Sequence, residues 1–492
     1  MAADIGKCIA FTELDCRTIR RGKQAHCIDR SNAGTVRHHK RPPRRKQTNI
    51  ACLEQDRFRF SFEKQPTTSR HNGKELDLVL GGKADCPVVA AGAEPASHDR
   101  LGAGQPQNIG KGINAHFRTI AQAIRTFKHL QSRGAAVPSH QPINQKEDNI
   151  AGETVLVTGG TGFIAQYCMI ALLNAGYKVR TTVRSLGREA EVREHLKVGG
   201  VDAGDRLSFV VADLSSDIGW AEAADGCSYA MHGASPTPSG DQVKLEDWVQ
   251  PAVNGNLRVL RAARDAGMKR VVLTSAFGAI GVGHGPDHRR PFDETDWSNL
   301  DGNVAPYQIS KTLAELASWD FIEKEGSGLE LAAVNPTAVY GPALGADYSH
   351  SIRLITNMLE GQPGCLNVNS CCVDVRDVAD LHLRAMRDPA AKGQRFLATV
   401  GEAMLMVEIA QLLKDRLGKA ADKVSTTVLP DNQVRKMAET NPALKMPASL
   451  LGYDMNASGK KAERLLGWKP RSREEAIIAS AQSLIDLGLL KS

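Results

Sequence analysis

Tyr307 and Lys311 are the residues of this 492-residue chain whose types and spacing most directly indicate catalysis. They lie four positions apart in the segment YQISK, which places both side chains on one face of a predicted helix. A free tyrosine has a pKa of about 10, and a neighbouring ammonium group lowers that pKa because it stabilises the phenolate. We predict that the pair donates a proton to a carbonyl oxygen while a cofactor delivers hydride.

A glycine-rich turn predicts where a dinucleotide cofactor binds. The apolar run Thr154–Thr158 predicts a buried strand, and residues 163–175 have the pattern of a helix. Between them, Gly159 permits a tight turn and Gly162 lets a pyrophosphate approach the backbone, while Ala165 lets the helix pack on the strand. The phosphates then lie at the helix N-terminus. The strand before and the helix after distinguish this motif from an ordinary turn.

The residues after the second predicted strand, Lys178–Val183, distinguish between the two nicotinamide cofactors. An NAD site usually has Asp or Glu there, which binds the ribose hydroxyls. This chain has Arg184, with Arg188 in the next turn. Because a guanidinium group can pair with a 2′-phosphate and stack on adenine, we predict NADP (NADPH) as the cofactor. The alternative is that both arginines face solvent.

The remaining predicted elements alternate between strands and helices. Three further apolar runs are predicted strands: Leu207–Val211, Tyr229–His232 and Val271–Ser275. A helix from Ala252 to Ala266 precedes the last of them, and Asp213 is placed to meet the adenine amino group. This alternation predicts an α/β protein with a doubly wound parallel sheet.

Residues 1–150 differ sharply in composition from the rest of the chain. They hold 25 Lys+Arg against 14 Asp+Glu, a net charge of +11, whereas the remainder holds 37 against 41, a net charge of −4. The basic run Arg37–Lys46 contains two prolines, which is typical of a solvated, disordered segment, with nucleic-acid binding as the alternative. We expect residues 1–150 to be a mostly disordered basic extension or a wrongly assigned start of the coding sequence.

Composition also excludes several classes of protein. No stretch approaches the roughly 18 to 20 uncharged apolar residues that span a membrane. The ten cysteines lack the paired spacing of metal ligands, and their number is low for a disulfide scaffold. We therefore predict a cytoplasmic protein without a metal site.

From about residue 152 to residue 492, the chain resembles the extended short-chain dehydrogenase/reductases of the NAD(P)-dependent epimerase/dehydratase superfamily. The motifs that carry the resemblance are TGGTGFIA (158–165), TTVRS (181–185), VVLTSA (271–276), YQISK (307–311), NPTAVYGP (335–342) and VDVRDVADLHLRAM (373–386). The chain is most similar to the branch of dihydroflavonol, cinnamoyl-CoA and aldehyde reductases. The resemblance implies a Rossmann-type fold and an NADP-dependent reduction of an aldehyde or ketone.

The resemblance also implies a division of the chain and completes the predicted site. Residues 151–340, with 368–400 returning to them, form the NADP-binding domain, and residues 341–367 and 401–492 form a smaller C-terminal substrate lobe. Pro336 to Val339 are expected to pack around the nicotinamide. The full predicted cofactor-binding set is Gly159, Gly162, Phe163, Ile164, Arg184, Arg188, Asp213, Leu214, Ala234, Ser235, Thr274, Tyr307, Lys311, Pro336 and Val339.

One position departs from the pattern of the family. Its catalytic hydroxyl normally follows the fifth strand in a Thr-Ser-Ser sequence, whereas this chain has Thr274, Ser275 and Ala276. Either Ser275 or Thr274 substitutes, or a backbone group or a water holds the carbonyl oxygen. We take Ser275 as the third catalytic residue beside Tyr307 and Lys311. Losing one such donor can cost a hundredfold in rate, about 3 kcal/mol.

Three alternatives to a carbonyl reductase stay open at this point. A sugar-nucleotide epimerase or dehydratase can use the same scaffold, and a non-catalytic NADP-binding sensor would explain Ala276. A nucleic-acid binder rests only on the basic extension. We expect a small-molecule carbonyl substrate, no membrane or nucleic-acid partner, and a monomer or homodimer.

Overall fold

The computed structural model describes residues 152–236, 244–285 and 287–491. The predictions for residues 1–150, including the basic run Arg37–Lys46, lie outside these described residues.

Seven parallel strands form the main sheet, in the order β3-β2-β1-β4-β5-β6-β9. They are β1 (Thr154–Thr158), β2 (Lys178–Val183), β3 (Leu207–Val211), β4 (Cys227–His232), β5 (Arg270–Thr274), β6 (Glu330–Pro336) and β9 (Arg395–Ala398). The strand order reverses between β1 and β4, and ligands of such sheets bind at the carboxyl ends of the strands beside this reversal. The predicted α/β class and doubly wound parallel sheet are confirmed.

The central strands are apolar along their whole length because helices cover both faces of the sheet. Val155, Leu156 and Val157 of β1 point to alternate faces and are all buried. The helices are α1 (Phe163–Asn174), α2 (Glu189–Val198), α3 (Trp220–Ala224), α4 (Leu245–Asp265), α5 (Pro306–Glu325), α6 (His350–Leu359), α7 (Val375–Arg387), α8 (Met406–Leu417), α9 (Asp431–Thr440), α10 (Pro442–Ser449), α11 (Lys460–Leu466) and α12 (Arg473–Asp486).

A second, three-stranded sheet has the order β10-β8-β7. Its strands are β7 (Ala338–Tyr340), β8 (Asn369–Asp374) and β10 (Val400–Leu405), with β7 parallel and β10 antiparallel to β8. The segment expected to return to the main domain, 368–400, is therefore divided: β8 lies in the small sheet, whereas β9 lies in the main sheet and α7 packs against α1.

The hydrophobic core is continuous between the main sheet and the C-terminal helices. One cluster of buried side chains includes Val155 of β1, Met169 of α1, Ile355 of α6 and Ile477 of α12. Trp468 is buried in the same cluster and its indole N–H donates to the carbonyl of Asp377, 2.9 Å away. Within the described ranges, no helix combines the length and apolar character that crossing a membrane requires.

Several predicted element boundaries differ from the structure, among them the start of β4, which is Cys227 instead of Tyr229. Helix α4 begins at Leu245, not at Ala252, although Pro251 lies inside it. The carboxylate of Asp247 accepts the backbone N–H of Lys244 at 2.8 Å and caps the helix upstream of the proline. Strand β5 ends at Thr274, so that Ser275 begins the loop instead of closing the strand.

Gly159 and Gly176 provide a matched test of the turn between β1 and α1. Both have positive φ, +75° and +89°, but a Cβ at Gly159 would lie 3.0 Å from Cα of Ala234, whereas a Cβ at Gly176 meets open space. Gly176→Ala should lose about 1–2 kcal/mol of unfolding free energy from the left-handed backbone alone. Gly159→Ala should lose about 1 kcal/mol or more beyond that, from overpacking. Urea unfolding measures both, and equal losses would contradict the packing described.

Candidate active site

The turn between β1 and α1 leaves no room for side chains. The N–H of Gly159 donates to Oγ1 of Thr182 at 3.1 Å, and the N–H of Gly160 donates to the carbonyl of Thr182 at 2.9 Å. A Cβ at Gly160 would lie only 2.4 Å from Oγ1 of Thr181. Gly162 is the N-cap of α1 and has no side chain to cap the helix. The open N–H groups of such a helix end attract anions such as phosphate.

The other residues predicted at this turn surround the start of α1. Phe163 is buried at the first helical position, and Ile164 is half-buried beside it. Ala234, after β4, lies against Gly159, and its N–H donates to Oγ1 of Thr158 at 3.1 Å. The cofactor contacts of these residues stay a prediction.

The two predicted phosphate-binding arginines differ in their surroundings. Arg184 is exposed directly after β2, near enough to Asp213 to help lower the pKa of that carboxyl, for which hydrogen bonds from Ser215 are the main cause. Arg188 forms ion pairs with Glu191 and, at 3.2 Å, with Asp347. A 2′-phosphate would therefore meet at Arg184 a guanidinium that forms no ion pair within the described residues but has the Asp213 carboxylate in its vicinity, whereas at Arg188 it would have to compete with two paired carboxylates.

Tyr307 is the second residue of α5 and lies at an open cleft. The residue is 42 % exposed, and its ring meets that of Trp248 edge to face, with the centroids 6.1 Å apart. Partial burial of the side chain raises the pKa of Tyr307 to about 12. Tyr307 therefore holds its proton at neutral pH, as a proton donor must.

Lys311 follows one turn later on the same helix. Burial lowers the pKa of the Lys311 ammonium to about 8, while the carboxylate of Glu315 opposes that shift. The expected lowering of the tyrosine pKa by the ammonium is not what the structure shows. Loss of water penalises a phenolate and an ammonium alike, so that desolvation governs both groups.

A small cavity of about 10 Å³, enough for one water, lies beside Lys311. It brings four of the predicted site residues together, since Lys311, Ser235, Thr274 and Ser275 all line it. Asn256 of α4 and Glu315 of α5 complete its polar wall.

Glu315 organises a buried polar cluster that the sequence motifs did not identify. Its Oε2 accepts hydrogen bonds from Oγ of Ser275 at 2.5 Å and from Nδ2 of Asn335 at 2.8 Å. Its Oε1 accepts from Nε of Arg395 at 2.6 Å and from the indole N–H of Trp319 at 3.2 Å. The sequence signals were weak: an acidic residue four positions after Lys311 and an arginine within a buried strand.

The Glu315–Arg395 ion pair is inaccessible to solvent, with both side chains 0 % exposed. Burial alone would raise the pKa of Glu315, but the charge and hydrogen bonds of Arg395, aided by Ser275, leave it below its usual value. Arg395 also stacks 3.7 Å from the ring of Trp297 and donates to the carbonyl oxygens of Glu294 and Asp296. The carboxylate is therefore ionised and held rigidly.

The hydroxyl of Thr274 is also engaged by a buried partner. Its Oγ1 lies 2.8 Å from Nε2 of His382, and Nδ1 of that imidazole lies 2.8 Å from the carbonyl oxygen of Val378. Because a carbonyl can only accept, Nδ1 carries the proton and Nε2 accepts from Thr274. Burial lowers the pKa of His382 to about 4, which keeps the ring neutral.

A second buried chain of hydrogen bonds connects the glycine turn with helix α5. Oγ1 of Thr158 donates to Nδ1 of His232 at 2.7 Å, and Nε2 of His232 donates to Oδ1 of Asn256 at 3.0 Å. Nδ2 of Asn256 then donates to Oγ of Ser318 at 3.1 Å. The predictions omitted His232 and Asn256, although a histidine that ends an apolar strand is a detectable signal.

The remaining predicted contacts lie at the carboxyl ends of strands. Pro336 closes β6 and is buried, and Val339 of β7 donates its N–H to Oγ of Ser351 at 3.2 Å. Leu214 packs against Gly255 of α4.

The vicinal thiols Cys371 and Cys372 are buried, which raises the pKa of each, as expected for inert thiols.

The ion pair of Glu315 can be tested through stability. Glu315→Gln strands a buried guanidinium and should cost about 3–5 kcal/mol of unfolding free energy. Asp380→Asn, which breaks a partly exposed pair with Arg384, is the matched control and should cost under about 1 kcal/mol. The double variant Glu315→Met/Arg395→Met should recover most of the loss. Denaturant unfolding measures the loss for each variant. If Glu315→Gln and Asp380→Asn lose similar amounts of unfolding free energy, the buried pair contributes no more to stability than the partly exposed one.

Comparison with known proteins agrees with this geometry. A family model described as "NAD dependent epimerase/dehydratase family" matches residues 155–399. Cinnamoyl-CoA reductase 1 of Arabidopsis thaliana is 36 % identical over 252 residues, which cover 50 % of this chain and 71 % of that protein. The ketoreductase azaE of Aspergillus niger is 30 % identical over 353 residues, or 68 % of this chain and 97 % of its relative.

A solved structure is similar over the same part of the chain. Yeast methylglyoxal/isovaleraldehyde reductase, crystallised with NADPH, is 26 % identical, covers 68 % of this chain and 99 % of its own, and superposes with a TM-score of 0.56. The chain belongs to the NAD dependent epimerase/dehydratase family, within the extended short-chain dehydrogenase/reductase branch that its motifs resemble.

Proposed function

We propose that this protein reduces an aldehyde or ketone to an alcohol with NADPH, and that Tyr307 donates the proton. The observation that carries the proposal is the placement of Tyr307, 42 % exposed, one helical turn before Lys311, which itself lines a cavity with Thr274 and Ser275. The similar cinnamoyl-CoA reductase, ketoreductase and methylglyoxal/isovaleraldehyde reductase are all reductases by name, which supports the proposal.

The residues of the cleft fit a phosphorylated dinucleotide. The β1–α1 turn is closed to any Cβ at Gly160, and the open backbone N–H groups at the start of α1 are its binding surface for phosphate. Arg184 is free to take a 2′-phosphate, and we assign the remaining predicted contacts to the same cofactor. Bound NADPH supplies the hydride.

Side chains of the protein provide the proton that the carbonyl oxygen requires. As hydride reaches the carbonyl carbon, the π electrons move to the oxygen, which takes the proton of the Tyr307 hydroxyl. The Lys311 ammonium, one turn further along α5, would offset part of the desolvation penalty of the phenolate left behind. The edge of Trp248 fixes the orientation of the phenol ring. Solvent then returns a proton to Tyr307.

The remaining assignments are parts of the same proposal. Residues 341–367 and 401–492 contribute the substrate lobe; Tyr348, which is partly buried there, could offer an apolar contact to a hydrophobic carbonyl compound, whereas Met404 and Met406 are buried in the hydrophobic core. The five described cysteines are free thiols, which supports the cytoplasm as the compartment. We infer a monomer or homodimer without a nucleic-acid partner.

The first test follows NADPH oxidation by the full-length chain with a panel of aromatic and aliphatic aldehydes and ketones. Tyr307→Phe should lower kcat by about a hundredfold or more because the general acid is lost. Tyr229→Phe, which removes a hydroxyl from a partly buried tyrosine of β4, is the matched control and should retain full activity. Tight NADPH binding without oxidation by any substrate would instead support a sensor or a sugar-nucleotide enzyme.

The pH dependence of reduction should report Lys311. Its pKa of about 8 means that the ammonium loses its charge as pH rises, while Tyr307 stays protonated. We therefore expect kcat/KM to be level near neutral pH and to fall above about pH 8. Lys311→Arg keeps the charge at high pH and should abolish that decline in whatever activity it retains. A wild-type profile that stays level to pH 10 would contradict an essential Lys311 ammonium that loses its charge near pH 8.

A further inference from the structure

We propose that this site favours carbonyl compounds that are already electrophilic, such as aldehydes and ketones with electron-withdrawing neighbours, because the end of β5 offers the carbonyl oxygen no free hydroxyl. The inference rests on the proposed function. It is based on three consecutive positions, Thr274, Ser275 and Ala276. None of their side chains has a hydroxyl that is free to donate a hydrogen bond to the substrate, for a different reason at each position.

The hydroxyl of Ser275 is not available to a substrate because it already donates a hydrogen bond to the carboxylate of Glu315. The Oγ to Oε2 distance of 2.5 Å is that of a strong bond to an ionised carboxylate. Arg395 holds this carboxylate from the other side, and both charged side chains are wholly buried. If Ser275 turned toward a substrate, the buried carboxylate of Glu315 would lose one of its hydrogen bonds, and an unsatisfied buried charge is costly in free energy. Ser275 is therefore a positioning residue, which replaces the catalytic role expected for it.

The hydroxyl of Thr274 is not available to a substrate because it already donates a hydrogen bond to Nε2 of His382. The bond to Val378 fixes the imidazole tautomer, so that Nε2 can only accept. If Thr274 turned toward the cleft, Nε2 would lose its partner in a site without solvent, since His382 is 0 % exposed.

Ala276 has no hydroxyl to offer. Its carbonyl oxygen accepts from Nδ2 of Asn335 at 3.2 Å and from the N–H of Ala279 at 2.9 Å, which fixes the backbone at this position. The next side chain, Phe277, packs edge to face on Phe292, with the centroids 5.7 Å apart. The methyl group of Ala276 thus lies in a rigid loop that begins directly beside Ser275.

The chemical consequence follows from the charge that develops on oxygen. Hydride addition pushes the π electrons onto the carbonyl oxygen, and each hydrogen-bond donor aimed at it contributes about a hundredfold in rate. With Tyr307 as the side-chain donor and none from the end of β5, the substrate itself must stabilise more of that charge. Electron-withdrawing groups do so, and the rate should therefore depend steeply on them.

The test compares para-substituted acetophenones, in which the substituent changes the electronics far from the reacting carbon. For the wild-type full-length chain, kcat/KM should be at least about tenfold higher for the 4-nitro than for the 4-methoxy compound. Ala276→Ser adds a donor and should raise kcat/KM for the 4-methoxy compound about 10–100-fold, with a smaller gain for the 4-nitro compound. The ratio between the two compounds should therefore shrink.

Ala276→Gly is the matched control, since it also changes the side chain but adds no donor, and it should leave that ratio unchanged. A wild-type ratio near one, or equal gains of both ketones in Ala276→Ser, would overturn the inference. If Ala276→Ser fails to fold, the wild-type ratio alone decides. Failure of the proposed function looks different: wild type and Ala276→Ser would both bind NADPH, seen by its fluorescence, and would reduce neither these ketones nor any aldehyde or ketone of the wider panel.

Discussion

The buried ion pair between Glu315 and Arg395 holds together the elements that carry the proposed site. It joins helix α5 to strand β9, and its carboxylate also accepts hydrogen bonds from Ser275 after β5 and Asn335 of β6. Two charges removed from water are tolerable only when each is fully paired, so that this cluster permits little displacement of any member. Tyr307 and Lys311 precede Glu315 on the same rigid helix, and the cluster therefore fixes their distance from the sheet.

The chain of hydrogen bonds through His232 and Asn256 holds α5 at a second point, Ser318, three residues after Glu315. It begins at Thr158, next to the glycine turn, and ends at Ser318. Burial lowers the pKa of His232 to about 4, and the neutral ring adds no repulsion toward the nearby Lys311 ammonium. The cofactor turn and the catalytic helix are thus connected by groups that are all satisfied, which keeps the cleft preorganised.

The local features were predictable from sequence, and the long-range ones were not. The bounds of β1 and β2, the turn at Gly159 and the Tyr307–Lys311 spacing follow from contiguous residues. The engagement of Ser275 depends on a carboxylate 40 positions away, and that of Thr274 on an imidazole 108 positions away. No periodicity specifies such pairs, because tertiary packing alone brings them together. The sequence therefore shows which residues near the end of β5 carry a hydroxyl, but not which distant residues accept hydrogen bonds from them.

Transfer of deuterium from the nicotinamide to the product tests the proposed chemistry most directly. The full-length chain would be given NADPH that carries deuterium at C4 on both faces, together with the aldehyde it reduces fastest, and the alcohol examined by mass spectrometry and NMR. Reduction by the proposed route predicts one deuterium on the carbinol carbon for each NADPH consumed, with the hydroxyl proton derived from solvent through Tyr307. An epimerase regenerates its cofactor, so product formed without net NADPH consumption, or NADPH consumed without label in the alcohol, would contradict a carbonyl reductase.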